Sequence, residues 1–129
     1  TDFRNASDEA MGYAISLATE FEAHLALLHV IEDYGEHLHE KPGPVERSLR
    51  KLEALIPPYA ELPHGVETLA QFGTAAESIL QTAVEREADL VILGARPTNG
   101  HLASTSHLAR NVAYRVIVGA SCPVLTVRN

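Results

Sequence analysis

Residues 24–31 read HLALLHVI, a short run that is apolar at almost every position. Such a run is typical of a strand that is covered on both faces, because both of its rows of side chains then point into a core. A second run of the same kind, DLVIL at residues 89–93, stops at Gly94. The two runs predict buried strands of a sheet that carries helices on both sides.

The segments around these runs complete an alternating order. Apolar residues recur at helical spacing in residues 10–21, 45–56, 76–84 and 108–117, and two more strand patterns occupy residues 66–72 and 123–127. Strands that are joined by single helices run parallel through right-handed crossovers. The sequence therefore predicts an α/β fold, an open sheet with helices on both faces in three αβα layers. Thr74 and Glu77 have the spacing of a capping box at the start of the third helix.

Composition limits the classes of function. With 129 residues the chain, residues 1–129, is predicted to be a single domain, and 46% hydrophobic residues indicate a globular one. Seventeen acidic against ten basic side chains give a net charge of −7, which argues against nucleic acid as a partner. No apolar run approaches the ~20 residues of a membrane span. The one cysteine, Cys122, fits a reducing compartment, so we expect a cytoplasmic protein.

A ligand site is expected where the strands end. Open parallel sheets bind ligands beyond the carboxyl ends of their strands. The candidates are Thr1 and Asp2, the residues after Val30, and the long loop after Leu93. That loop, residues 94–106, combines glycines with a Ser-Thr-Ser run that opens a helix, a pattern that favours phosphate. An ordinary glycine-containing connection with a serine cap explains the same residues, and neither standard nucleotide fingerprint is present.

Several further motifs together resemble the universal stress protein family. They follow one another in the family's order over essentially the whole chain, which makes the combination more specific than any single motif. The motifs are Asp2-Phe3 with Ser7 and Ala10, Leu27-Leu28-His29-Val30-Ile31-Glu32, Gly73 with Ala76-Glu77, Ala88-Asp89-Leu90-Val91-Ile92-Leu93-Gly94, and Cys122-Pro123-Val124-Leu125-Thr126-Val127-Arg128.

The resemblance implies a Rossmann-like fold, with an open and mainly parallel five-stranded sheet. Its last strand, here residues 124–127, pairs two subunits of a homodimer or two domains of a tandem protein. Most of the family's first strand would precede Thr1. We therefore expect that the sequence is a domain truncated at its N-terminus, and its late loop resembles second domains of tandem proteins.

The resemblance also implies a stress-response module that binds ATP with Mg²⁺ or another adenine nucleotide. The family's ATP loop has the form Gly-x-x-Gly followed later by Gly-[Ser/Thr], and here it is degenerate. Gly94 holds the first position, Pro97 replaces the second glycine, and Arg110-Asn111 stands where Gly-Ser belongs. Carried over residue by residue, the nucleotide contacts would be Thr1, Asp2, Val30, Gly94, Arg96, Gly100, Arg110, Asn111, Val112 and Ala113.

Other functions remain as alternatives. If the pocket has degenerated, the domain is a dimerisation or interaction scaffold that binds no nucleotide. Hydrolysis of ATP would at most be slow, because no general base or Mg²⁺-organising pair is evident beyond Asp2. A third alternative is a hydrolase that uses serine and histidine, but the sequence does not contain the Gly-x-Ser-x-Gly motif of such enzymes. His37 and His39 have no second pair of ligands at zinc spacing, so no metal site is expected.

Overall fold

The structure of the protein is a computed structural model that describes residues 1–32, 35, 39–95 and 111–128. Helices and strands alternate through this part of the chain, as the sequence predicts. Its helices are α1 (Asn5–Glu20), α2 (Pro44–Leu55), α3 (Ala75–Glu85) and α4 (Val112–Gly119). Its strands are β1 (Leu25–Ile31), β2 (Val66–Phe72), β3 (Val91–Gly94) and β4 (Val124–Val127).

The strands pair in parallel, as single-helix crossovers require. β1 pairs with β2, with Leu25 opposite Val66, and β3 pairs with β4, with Val91 opposite Val124. The α/β class and the parallel pairing are thus confirmed. Among the described residues the strands form two separate two-stranded sheets, and α1 contacts strands of both. The strand expected ahead of Thr1 stays a prediction.

Two helices start at residue types that favour the start of a helix. Gly43 is the N-cap of α2 and Pro44 occupies its first turn, where the missing N–H is not needed. Asn111 caps α4, because its side-chain oxygen accepts a hydrogen bond of 2.9 Å from the Ala113 N–H. The last helix was expected from residue 108, but residues 108–110 lie outside the described part of the chain.

Small residues let α1 lie close to β3. The buried face of α1 consists largely of alanines at helical spacing, which are Ala6, Ala10, Ala14 and Ala18. A Cβ atom at Gly94 would lie 2.4 Å from the Ala6 carbonyl carbon and 2.5 Å from the Ser7 nitrogen. Position 94 therefore requires glycine because two backbones meet there.

An exposed ion pair joins the end of α3 to the start of β2. The Arg86 guanidinium donates two hydrogen bonds, of 2.8 and 2.9 Å, to the Glu67 carboxylate, and these bonds lower the pKa of Glu67. Since the pair lies in solvent, its contribution to stability is small. None of the helices that the structure describes is long and apolar enough to cross a membrane.

We predict that Gly94→Ala destabilises the fold, whereas Gly12→Ala does not. The added methyl group at position 94 would meet backbone atoms that cannot turn away, and overpacking of this kind costs about 1–3 kcal/mol. Gly12 lies within α1 with nothing within 4 Å of its Cβ position, so alanine there should stabilise by roughly 0.5–1 kcal/mol. Urea denaturation measures both, and equal stability of Gly94→Ala and the parent would contradict the close approach.

Candidate functional site

Backbone and side-chain bonds hold Thr1 beside β1. The Thr1 nitrogen donates to the Leu28 carbonyl oxygen at 2.7 Å, and the Thr1 carbonyl oxygen lies 2.8 Å from Nδ1 of His29. Leu28 is the middle residue of β1, and His29 follows it toward the carboxyl end. Thr1 is therefore fixed beside Leu28 and His29, the two residues that precede Val30 in this strand.

Asp2 connects this position to the end of β3. Its Oδ1 atom accepts hydrogen bonds from the Arg4 N–H at 3.1 Å and from the Ser7 hydroxyl at 2.8 Å, while its own N–H donates to Ser7 Oγ at 3.2 Å. The Ser7 nitrogen in turn lies against Gly94. The Asp2 side chain thus lies between the carboxyl ends of β1 and β3, and it is half exposed.

The next residue, Phe3, has an unusual backbone conformation. Its φ of 60° lies in the left-handed region, which costs a residue other than glycine about 1–3 kcal/mol. The Phe3 N–H donates to Thr1 Oγ1 at 3.0 Å. Its ring lies 4.4 Å from the His29 ring, and the Lys51 ammonium is 5.5 Å from the ring centre. These contacts hold a strained turn in place between β1 and α2.

The capping box predicted at the start of α3 is wrong. Thr74 makes no side-chain capping bond, and the Ala75 N–H instead donates to Oε1 of Glu32 at 2.8 Å. Glu77, the other half of the predicted box, lies 3.6 Å from the Arg115 guanidinium of α4. Glu32 follows β1 directly, so a carboxylate from the strand's end occupies the position that a local cap would take.

The structure places four of the predicted site residues at one edge of the strands. Thr1, Asp2, Val30 and Gly94 lie along the ends of β1 and β3. At the start of α4 the Asn111 side chain bonds the Ala113 N–H, and Ala113 is buried, so the fold already uses both residues. Val112, between them, is half-buried. Arg96, Gly100 and Arg110 lie outside the described residues.

Sequence patterns missed three residues of this region, Glu32, Phe3 and His29. A signal existed for Glu32, since it directly follows a buried strand, but nothing in the local sequence marks the left-handed turn at Phe3. His29 is half-buried, and its Nδ1 lies 2.8 Å from the Thr1 carbonyl oxygen. Within the described ranges no group of three or more His, Cys, Asp or Glu side chains could hold a metal ion.

We predict that Glu32→Ala destabilises the protein more than Thr74→Ala. Loss of the carboxylate leaves the Ala75 N–H without its acceptor, and the loss of a helix cap costs about 1 kcal/mol. Thr74→Ala removes a hydroxyl that makes no capping bond and should change the free energy of unfolding by less than half as much. Chemical denaturation measures the free energy of unfolding of both variants. A larger decrease for Thr74→Ala than for Glu32→Ala would show that Thr74 is the cap.

Known proteins share this arrangement of helices and strands. A sequence model of the universal stress protein family matches residues 1–128. A universal stress protein of Thermus aquaticus is 34% identical, covering 95% of this chain and 92% of its own. The solved structure of the universal stress protein UspA from Lactobacillus plantarum has a TM-score of 0.67 at 21% identity, covering 99% of this chain and 93% of its own.

A universal stress protein solved in complex with cAMP has a TM-score of 0.71 at 21% identity, and the match covers 99% of this chain and 91% of that one. At this level of identity the two structures show a common fold. The match of the family model over nearly the whole sequence shows more, because it concerns the sequence itself. This chain belongs to the universal stress protein family.

Proposed function

We propose that this protein is a nucleotide-responsive stress module that binds an adenine nucleotide, with ATP and Mg²⁺ as its primary ligand. The observation that carries the proposal is the position of Asp2 between the carboxyl ends of β1 and β3, which is where open parallel sheets bind ligands. The cAMP bound to a relative of the same fold supports the choice of an adenine nucleotide.

The chemistry of the residues at this edge suits a nucleoside. Carboxylate oxygens accept hydrogen bonds from ribose hydroxyls, and the Asp2 side chain is half exposed. Val30 offers an apolar contact for a base. The Phe3 and His29 rings border the same turn, so apolar and polar groups converge there.

The phosphates would be met by Gly94, Arg96, Gly100, Arg110, Asn111, Val112 and Ala113. Arginines provide cationic, multiply donating side chains for phosphate oxygens. Within this group Asn111 and Ala113 already bond to each other, so the proposal gives the phosphates chiefly to the arginines and to the backbone that follows Gly94. Bound Mg²⁺ would neutralise phosphate charge.

We expect ATP with Mg²⁺ to raise the thermal stability of the parent protein. A ligand at a hundred times its Kd stabilises the state that binds it by about 2.7 kcal/mol. Asp2→Asn should weaken the effect, because an amide is a poorer acceptor for ribose hydroxyls than a carboxylate. Asp8→Asn is the matched control, since Asp8 is the acidic residue in the first turn of α1 and should leave binding unchanged.

Titrations with cAMP and with inorganic triphosphate in place of ATP separate recognition of the nucleoside from recognition of phosphate. If neither ATP nor cAMP shifts the melting temperature at millimolar concentration, the alternative of a scaffold without nucleotide is the better one. If Arg110→Gly responds while the parent does not, the arginine fills the site.

We further propose that the protein is cytoplasmic and that two copies pair through β4. Bonds to β3 engage the Pro123 and Val127 carbonyls, so by alternation Val124 and Thr126 direct their backbone groups to the other side. Among the described strands none pairs with β4 on that side, and an open strand edge is a template for another chain. Tyr114, Ile117 and Val118 of α4 add exposed apolar surface.

Thr126→Pro should convert the dimer into a folded monomer, because proline removes the outward N–H and leaves the bonds to β3 intact. Thr126→Ala, which retains the N–H, should remain dimeric. Sedimentation velocity gives the mass, and circular dichroism confirms that both variants are folded. A monomeric parent, or a dimeric Thr126→Pro variant, would contradict pairing through this edge.

A further inference from the structure

We infer that His29 is a positioning residue of the candidate site, which holds the turn that presents the Asp2 carboxylate. The inference rests on the proposed function in one respect only, that Asp2 contacts the ligand. His29 itself lies in β1. It forms a hydrogen bond with Thr1 and a ring contact with Phe3, the residues on either side of Asp2.

The first contact fixes the orientation of the imidazole. A carbonyl oxygen can only accept a hydrogen bond, so the 2.8 Å contact between His29 Nδ1 and the Thr1 carbonyl requires the proton on Nδ1. The strand holds the backbone of His29, and this bond sets the direction of its ring. The peptide unit between Thr1 and Asp2 is thereby tied to β1.

The second contact acts on the other side of Asp2. The Phe3 ring packs on the His29 ring with centroids 4.4 Å apart and planes inclined by 40°, and Lys51 of α2 approaches the Phe3 ring. Phe3 holds a φ of 60°, which a non-glycine residue leaves unless its surroundings retain it. The imidazole therefore helps to retain a conformation that the Phe3 backbone does not favour by itself.

The two contacts together determine where the carboxylate is. With Thr1 and Phe3 both held, Oδ1 of Asp2 is placed to accept from the Arg4 N–H and the Ser7 hydroxyl. Without them the turn would relax to other conformations, and only a fraction of molecules would present Asp2 correctly. The apparent affinity for a ligand falls by that fraction.

Two substitutions separate the parts of this role. His29→Phe keeps a ring against Phe3 and removes the donor, and we expect nucleotide affinity to fall about tenfold. His29→Asn places an amide N–H where Nδ1 stands and should recover part of the loss. His24→Phe is the control, because His24 precedes β1 at its other end and contacts His64 instead.

A double-mutant cycle with Asp2→Asn tests whether His29 acts through Asp2. In the Asp2→Asn background, His29→Phe should cost little further affinity, since the group that it positions is already lost. A merely structural histidine would cost the same in both backgrounds. Equal losses in the two backgrounds would overturn the inference.

Amide hydrogen exchange decides the same question without any nucleotide. The Arg4 N–H is bonded to Asp2 Oδ1, so its exchange should accelerate in His29→Phe and return toward the parent rate in His29→Asn. Unchanged exchange at Arg4 in His29→Phe would overturn the inference. If the parent binds no nucleotide but Arg4 exchange responds as expected, the proposed function fails and the positioning of Asp2 by His29 stands.

Discussion

The backbone of α1 lies directly against the end of β3, and the rest of the site depends on this close approach. Where Gly94 meets Ala6 and Ser7 there is no room for a side chain. Because Ser7 also bonds Asp2, the same contact fixes the turn that precedes α1. Asp2 is thereby placed between strands of two separate sheets, which the local preferences of residues 1–4 could not achieve.

The starts of the helices have a consequence for any phosphate ligand. Free N–H groups at the start of a helix form an anion site, but here a side-chain oxygen of the chain itself already engages one of these groups at α3 and one at α4. Glu32 accepts from the start of α3, and Asn111 accepts from the start of α4. Fewer helix N–H groups are therefore left for the phosphates of a nucleotide, and the arginines of the degenerate loop would supply further donors.

The fold was predictable from the sequence because its signals are local. Continuous apolar runs indicated the parallel strands, although most residues of β1 and β3 are half-buried. The predicted capping box failed because a residue distant in sequence, Glu32, supplies a better placed oxygen to α3. The requirement for glycine at position 94 was likewise assigned to a ligand, whereas contact with α1 already accounts for it.

Because contact with α1 explains the glycine at position 94, Gly94 and Asp2 differ in what they indicate about function. A glycine at position 94 is needed whether or not a nucleotide binds, so its presence does not distinguish a nucleotide-binding protein from a scaffold. Asp2 differs in this respect. The two bonds of its side chain within the turn are accepted by one oxygen, Oδ1, which an asparagine would also supply.

Neither of those two bonds requires the negative charge of Asp2. Nε of Arg4 lies 3.9 Å from Oδ2 of Asp2, and both side chains are half exposed or more, so that ion pair contributes little. The start of α1 stabilises a negative charge in this position. A carboxylate is also a stronger acceptor than an amide for the hydroxyls of a ribose. The charge of Asp2 thus connects the stability of α1 with the proposed recognition of a nucleoside.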